Sequence, residues 1–501
     1  MGAQVRSREF TRADRRRFRD KVHASITALN RMLADGHFHD ASVEPEPLIG
    51  MEIEFNLVAA DMSPAMSSRE VLESIDDSAV FQTELGQFNV EMNVEPSPLR
   101  GDAMVDLENT VRCSLDIADA RIRTHDADLV MIGMLPTLQL EHLDRKWLTE
   151  NPRYRLLNDQ IFAARGEDIE LDVVGQALLG GEQEALRADT DSVVPEAACT
   201  SLQLHLRVAP EAFAAHWNAA QAIAGVQVAL AANSPFFAGR ALWHETRVPI
   251  FEQATDTRTV ELKNQGVRPR VWFGERWIDS ALDLFEENSR YFPPLLPELD
   301  DADPLAVLEA GGVPELAELR MHNGTVYRWN RPVYDCVDGT PHLRIENRVL
   351  PAGPTVVDML ANSAFYYGVV RALVDADRPL WSQMSFDTAR ENLRLGARCG
   401  LDATLHWPET GRVDAADLIL HTLLPLADQG LTALGVSAAA RGRYLTVVEE
   451  RCANRRTGAH WQRRRVADLE ARGRDRPTAL ADMLRDYVEN MREGNPVHTW
   501  V

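Results

Sequence analysis

Four short segments of alternating polarity constrain this 501-residue chain more than any other feature. In Met51–Leu57, the residues Glu52, Glu54 and Asn56 alternate with Met51, Ile53, Phe55 and Leu57. The run 88–95 repeats the pattern with Asn89, Glu91, Asn93 and Glu95 against Phe88, Val90, Met92 and Val94. In 200–208, Ser201, Gln203, His205 and Arg207 face one way, and Leu202, Leu204, Leu206 and Val208 the other. The last, 343–349, places Arg344, Glu346 and Arg348 on one side. Period two is the signature of a half-buried strand, and it sets alternate side chains about 6.6 Å apart on one face. Four such strands predict an α+β fold with a mainly antiparallel sheet, apolar behind and charged in front.

The remaining pattern supplies the helices. Phe18, Val22, Ile26, Leu29 and Leu33 recur at helical spacing within 11–34, and 37–47, with His37, His39, Pro45 and Pro47, reads as a linker. Helices are expected over 68–78, 102–127 and 211–232, and a buried strand over 129–134. Pro96 and Pro98 are expected to break the second strand. Thr355 and Asp358 form a near capping box that opens a long apolar helix to about Leu373. From about 378 onward helical patterns dominate. The expected division is an N-terminal extension (1–47), a catalytic region (48–377) and a mainly helical C-terminal region (378–501).

Composition narrows the function. A net charge of −23, from 76 acidic and 53 basic residues, disfavours a general nucleic-acid surface. Basic stretches at 6–21 and 451–476 are expected to be solvated helix faces or intersubunit salt-bridge surfaces. No apolar run approaches a membrane span and no secretory core follows the Arg-rich start, so no membrane partner and a cytoplasmic location are expected. The five cysteines are scattered and form no CxxC pair. Gly180–Gly181 and Gly311–Gly312 lack a P-loop context, and no dinucleotide fingerprint, nucleophile elbow or HExxH motif occurs. A magnesium–phosphate site must therefore come from the strand faces, or not exist.

Those faces have suitable chemistry. Glu52 with Glu54, and Glu91 with Glu95, put carboxylates side by side, where they repel unless a cation intervenes. A hard ion such as Mg²⁺ takes oxygen ligands and leaves positions open for phosphate. His205 is a candidate ligand on its strand, and Arg344 and Arg348 can grip phosphate or carboxylate while Glu346 completes a metal site. Cross-strand salt bridges on an exposed sheet are the plainer reading of each strand taken alone.

Taken together and in order, the segments 50–55, 88–93, 200–205, 231–240 (Ala-Ala-Asn-Ser-Pro-Phe-Phe-Ala-Gly-Arg) and 344–348 resemble the glutamate–cysteine ligase type 2 (carboxylate–amine ligase) family. The tail segment 457–464 resembles larger, actinobacterial-type members. The resemblance implies a glutamine-synthetase-like fold whose curved sheet forms a funnel. It also implies an enzyme that uses ATP to activate a carboxylate as an acyl phosphate and joins it to an amine, with glutamate and cysteine as the reference pair. It places Glu52, Glu54, Glu91, His205 and Glu346, with Glu95 as an extra, at metal or nucleotide phosphate. Two or more Mg²⁺ ions are implied, with Mn²⁺ as an alternative. Arg344 and Arg348 become phosphate stabilisers and catalytic groups with Glu54, and Arg240 near Asn233 becomes a substrate contact. Small-molecule acid and amine substrates and a homo-oligomer are expected. Asn323–Gly324 and the segment through Asp335 are expected to cover the site. A nucleotide-binding protein without ligase activity, or a phosphotransferase or ATP hydrolase, are the competing readings.

Overall fold

A computed structural model of the chain describes residues 10–38, 47–122, 125–178 and 180–501. Residues 39–46, with most of the expected linker (His39 and Pro45 among it), and residues 6–9 of the first basic stretch lie outside the described residues.

The centre is a curved seven-stranded antiparallel sheet, a half-barrel of glutamine-synthetase-like architecture with flanking helices. Its strands are β1 (Leu48–Ala59), β2 (Phe81–Thr83), β3 (Asn89–Pro98), β4 (Ala127–Val130), β5 (Ser201–Val208), β6 (Asn330–Val337) and β7 (Thr340–Pro351). They run in the order β6-β7-β5-β1-β3-β2, with β4 also paired to β1. All four alternating segments of the sequence are inner strands of this one sheet. Hence their apolar sides are largely covered: Ile53, Phe55, Leu202, Leu204 and Ile345 are wholly buried, each worth about 1.5–3 kcal/mol relative to exposure, while Val94 near the bulge is half-buried.

Two strands depart from expectation. Pro96 and Pro98 do not end β3. Between Ile49↔Ser97 and Met51↔Val94 the register shifts, so Glu95 and Pro96 together oppose Gly50. The bulge leaves Pro96, which has no N–H to offer, outside the ladder. The buried run after Leu129 leaves the sheet at Val130. Residues 131–134 continue as irregular chain, pinned where Asn56 Nδ2 donates to the Ile132 carbonyl (3.2 Å) and Tyr487 Oη to that of Met131 (2.7 Å).

The helix Val356–Val374 is buried on nearly every side, begins at Thr355 as expected, and lies beneath β5, where Tyr367 donates to the His205 carbonyl (3.2 Å). It crosses Leu424–Ala433 at Gly368 and Gly430, where a methyl group on either glycine would fall within 2.3 Å of the other helix's backbone. The turn before it passes Gly353, at φ +77° and against the Met131 carbonyl, where a Cβ would sit 2.0 Å from oxygen. Only glycine fits there.

The basic stretches are partly solvated and partly paired within the chain: Arg12, Arg16, Arg17, Arg19, Arg464 and Arg472 are exposed. The helix Arg12–Ala34, opened by a Thr11–Asp14 capping box, packs against the helices 281–291, 304–309 and 317–323, with Arg15 donating to the Pro294 carbonyl and Lys21 paired with Glu318. In the tail, Arg451 is buried against Asp358 (2.8 Å), Arg465 pairs with Asp486 and Arg476 with Glu184. Acidic residues scattered through an acidic chain are near enough to pair with these arginines internally. No described helix is long and apolar enough to cross a membrane.

Candidate functional site

Register, rather than sequence proximity, assembles the site. Across the polar face, Glu54 on β1 stands opposite Glu91 on β3, and Glu52 opposite both Asn93 on β3 and Gln203 on β5. His205 faces Gly50 on one side and Glu346 of β7 on the other, and Glu346 faces Arg331 of β6. The sheet thus brings Glu52, Glu54, Glu91, His205, Glu346, Arg344 and Arg348 onto one surface, acidic toward β3 and basic toward β6.

At the acidic end a further carboxylate joins. Glu84 follows the short strand β2, and the carboxylate oxygens of Glu54, Glu84 and Glu91 come within 4.8 Å of one another. Glu54 is 8% exposed; its oxygens accept from Ser201 N (2.6 Å) and Gln203 Nε2 (2.8 Å). Asn93 donates to Glu91 (2.7 Å). Burial pushes the Glu54 carboxyl up to about 7, with Glu91 adding to the rise and Arg348 opposing it. Burial and the charges of Glu91 and Glu54 push Glu84 well above the carboxylate range, and it hydrogen-bonds to Glu91. Glu91 is raised too, by burial first and then by Glu52. Three clustered carboxyls, two buried and one half-buried, all pushed above the ordinary range by desolvation and mutual repulsion, are a donor set suited to a hard divalent cation.

This has a signed consequence. Without metal, folded Glu54 keeps its proton to about pH 7, whereas the unfolded chain releases it near 4.5. The folded state binds more protons between those values, so stability falls as pH rises through that window. Urea denaturation in chelator should show a lower midpoint at neutral pH than near pH 5. Mg²⁺ should restore stability chiefly at the higher pH, where it no longer competes with protons. A midpoint that rises across the same window in chelator would contradict the arrangement.

Toward the centre, His205 Nε2 lies 3.0 Å from Glu52 Oε1, and Arg344 Nε donates to His205 Nδ1 (3.2 Å). The guanidinium can only donate, so Nδ1 is the acceptor and Nε2 carries the hydrogen. Burial would raise the Glu52 carboxyl, but the imidazole beside it outweighs that and holds it well below the ordinary range. At the basic end Glu346, 1% exposed, takes Arg331 on one oxygen (2.6 Å) and Arg348 on the other (2.5 Å). Burial alone would raise its carboxyl; the two guanidinium groups reverse the direction and hold it far below. Arg348 also donates to Gln203 (2.9 Å). Arg344 pairs with Asp335 (3.0 Å). Above the sheet, Glu196 lies in the field of Arg348 and Glu54; burial lifts its carboxyl to about 8, and its Oε2 has no partner.

Other expected residues lie elsewhere. Glu95 is exposed beside the β3 bulge. Arg240 is exposed in the hairpin Phe236–Phe237/Arg240–Ala241, and among the described residues no hydrogen bond or ion pair joins it to the sheet face. Asn233 is wholly buried; its Nδ2 donates to the Ala352 carbonyl (2.8 Å) and Tyr487 Oη (2.9 Å), and its Oδ1 accepts from Gln462 (2.9 Å). Its amide is spent on holding the fold together. Nor is Asn323–Gly324 a covering loop. Asn323 is a buried helix end donating to the Pro332 carbonyl, and Asp335 belongs to β6. Glu84, Arg331 and Glu196 were not anticipated.

The sequence pattern of the glutamate–cysteine ligase family 2 matches residues 48–481. No curated protein matches the chain. Among solved structures, the glutamate–cysteine ligase of Francisella tularensis in complex with AMP is similar with a TM-score of 0.54 at 11% identity, over 90% of this chain and 89% of that one. A bifunctional glutathione synthetase from Pasteurella multocida is similar with a TM-score of 0.51 at 12% identity, over 94% of this chain and 55% of that larger one. At such identities the two structures share the fold with this chain.

Proposed function

The chain belongs to the glutamate–cysteine ligase family 2, ATP-dependent carboxylate–amine ligases, and from that premise we propose that it activates the side-chain carboxylate of glutamate or a related acid as an acyl phosphate and joins it to an amino group. The observation that carries this reading is the polarity of the sheet face, with three clustered carboxyls at one end and Arg331, Arg344 and Arg348 at the other.

In this reading Glu54, Glu84 and Glu91 hold a divalent ion, while His205, donating to Glu52, and Glu346, holding Arg331 and Arg348, line the nucleotide-phosphate side of the face. Bound Mg²⁺, or Mn²⁺ in its place, would supply the positive charge that offsets the charge moving with the phosphoryl group. The residues of the chain do the positioning. Arg344 orients His205 through Nδ1, which keeps Nε2 turned to the acidic side. Glu346 anchors Arg331 and Arg348 so that their remaining N–H groups face the transferring oxygens, pre-aligned in a partly buried place where such donors act most strongly. Glu196, whose carboxyl burial lifts to about 8 beside Arg348, is suited in its ionised form to taking a proton from the incoming ammonium. Residues 48–377 carry the chemistry and 378–501 brace it, the segment 457–464 giving the narrower likeness to larger, actinobacterial-type members.

Trapping with hydroxylamine tests the route. With ATP, Mg²⁺ and the right acid, a hydroxamate of that acid should accumulate, identified by mass, and omission of any one component should abolish it. ATP binding without a hydroxamate from glutamate, related amino acids or small γ-carboxyl peptides would overturn acyl-phosphate formation.

A further inference from the structure

Away from the sheet face, three side chains from distant parts of the chain converge in a way the ligase chemistry does not use. His244 follows the Phe236–Ala241 hairpin, Asp402 closes the short turn Gly400–Asp402, and His460 lies in the first turn of the helix Gly458–Ala471. One ligand atom from each falls within 4.8 Å of the others. The two imidazole rings stand edge to face at 4.6 Å, and His460 Nε2 is 3.1 Å from Asp402 Oδ2. His244 is 7% exposed and its Nδ1 is buried with no hydrogen-bond partner. Beside it Gly400 leaves a gap: a Cβ there would come within 2.7 Å of that nitrogen. Thr457 Oγ1 engages His460 Nδ1 at 2.9 Å, which fixes the ring and points Nε2 into the cluster. Asp402 also accepts from Arg455 (3.2 Å), but that guanidinium is shared with Asp414 (2.8 Å).

We propose that His244, Asp402 and His460 form a second metal site, for a divalent transition ion of the zinc type, separate from the carboxylate face. Two imidazoles and one carboxylate suit such an ion better than Mg²⁺, which prefers oxygen alone. Thr457 is the outer partner that a ligating histidine requires. Asp402 is exposed, so water reaches the fourth position. The ion ties the C-terminal helix to the segment that supports the sheet. Next to His244, Glu245 accepts from Asn233 N (2.8 Å) and Arg247 Nε (2.6 Å), and Arg247 donates to the carbonyl of Val349 (2.7 Å), the neighbour of Arg348.

The test is a Co²⁺ titration of the chelator-stripped full chain in excess Mg²⁺, followed by the visible bands of low-coordinate Co²⁺ and their displacement by Zn²⁺. About one displaceable equivalent is expected. His460→Gln and Asp402→Asn, both near the surface, should each weaken binding more than about tenfold while circular dichroism stays unchanged. Glu84→Gln should leave the bands intact, which separates this site from the ligase reading. Absence of the bands, or bands of undiminished affinity in both folded variants, would overturn the proposal.

Discussion

Glu84→Gln is expected to lower turnover roughly 100- to 1,000-fold, the scale on which one positioned charge-stabilising group acts, without weakening the metal-free fold. Burial, with Glu91 and Glu54 alongside, pushes the carboxyl it replaces well above the ordinary range and so favours the protonated form. An amide at that place copies the protonated acid: it is neutral, nearly isosteric and able to donate to Glu91. What it cannot do is lose a proton to make room for a cation. The measurements are a Mg²⁺ titration of ATP-dependent turnover and a urea melt in chelator. The titration should shift to much higher metal concentration while the melt stays at or above that of the parent. Unchanged turnover with an unchanged titration would remove Glu84 from the site.

The second large effect concerns the other end of the sheet. Glu346→Gln should cost about 3–5 kcal/mol of folding stability, the range for removing one member of a buried ionic group. Arg331 and Arg348 share that single carboxylate, one on each oxygen. Its neutralisation leaves two guanidinium groups on adjoining strands with no common counter-charge. Arg331→Met added to Glu346→Gln should recover part of the loss, because one of the two uncompensated cations is gone. Denaturant midpoints with an unchanged slope would measure both. A Glu346→Gln protein as stable as the parent would show that the triad is not coupled as its geometry requires.

Much of the site was readable because its residues sit on regular strands. Glu52, Glu54, Glu91, His205, Arg344, Glu346 and Arg348 each occupy the polar phase of a period-two run, and register does the rest. The residues missed lie where that signal fails. Glu84 follows a strand of three residues and reaches the cluster through the irregular turn before Asn89. Arg331 is on a strand interrupted by Pro332, which made β6 read as loop; at this sheet edge the proline costs no ladder bond. Glu196 is on a four-residue helix too short to announce itself. Asn233 and Arg240 came from a resembling motif rather than from periodicity, and a motif does not say whether an amide faces ligand or core. The basic stretches keep a solvated face at Arg12, Arg16, Arg17 and Arg19; the pairs of Lys21 with Glu318 and Arg476 with Glu184 span hundreds of residues and leave no local trace.

The tie between Met131 and the tail bears on how the protein is made. The end of β4 and the loop that leaves it are held by Tyr487 Oη on the Met131 carbonyl, by Met491 sulfur at the Met131 amide (3.3 Å), and by Arg492 on Asp128 in the strand itself. These partners are separated by 356 to 364 residues. Until residues 487–492 are made, β1 and β4 can already pair and Asn56 can hold the Ile132 carbonyl, but the loop beside the turn at Gly353 lacks its contacts to Tyr487 and Met491. Contacts of such long range form late and slowly. The emerging chain therefore spends most of its synthesis with an open seam along one end of the catalytic sheet, sealed only when residues 487–492 arrive.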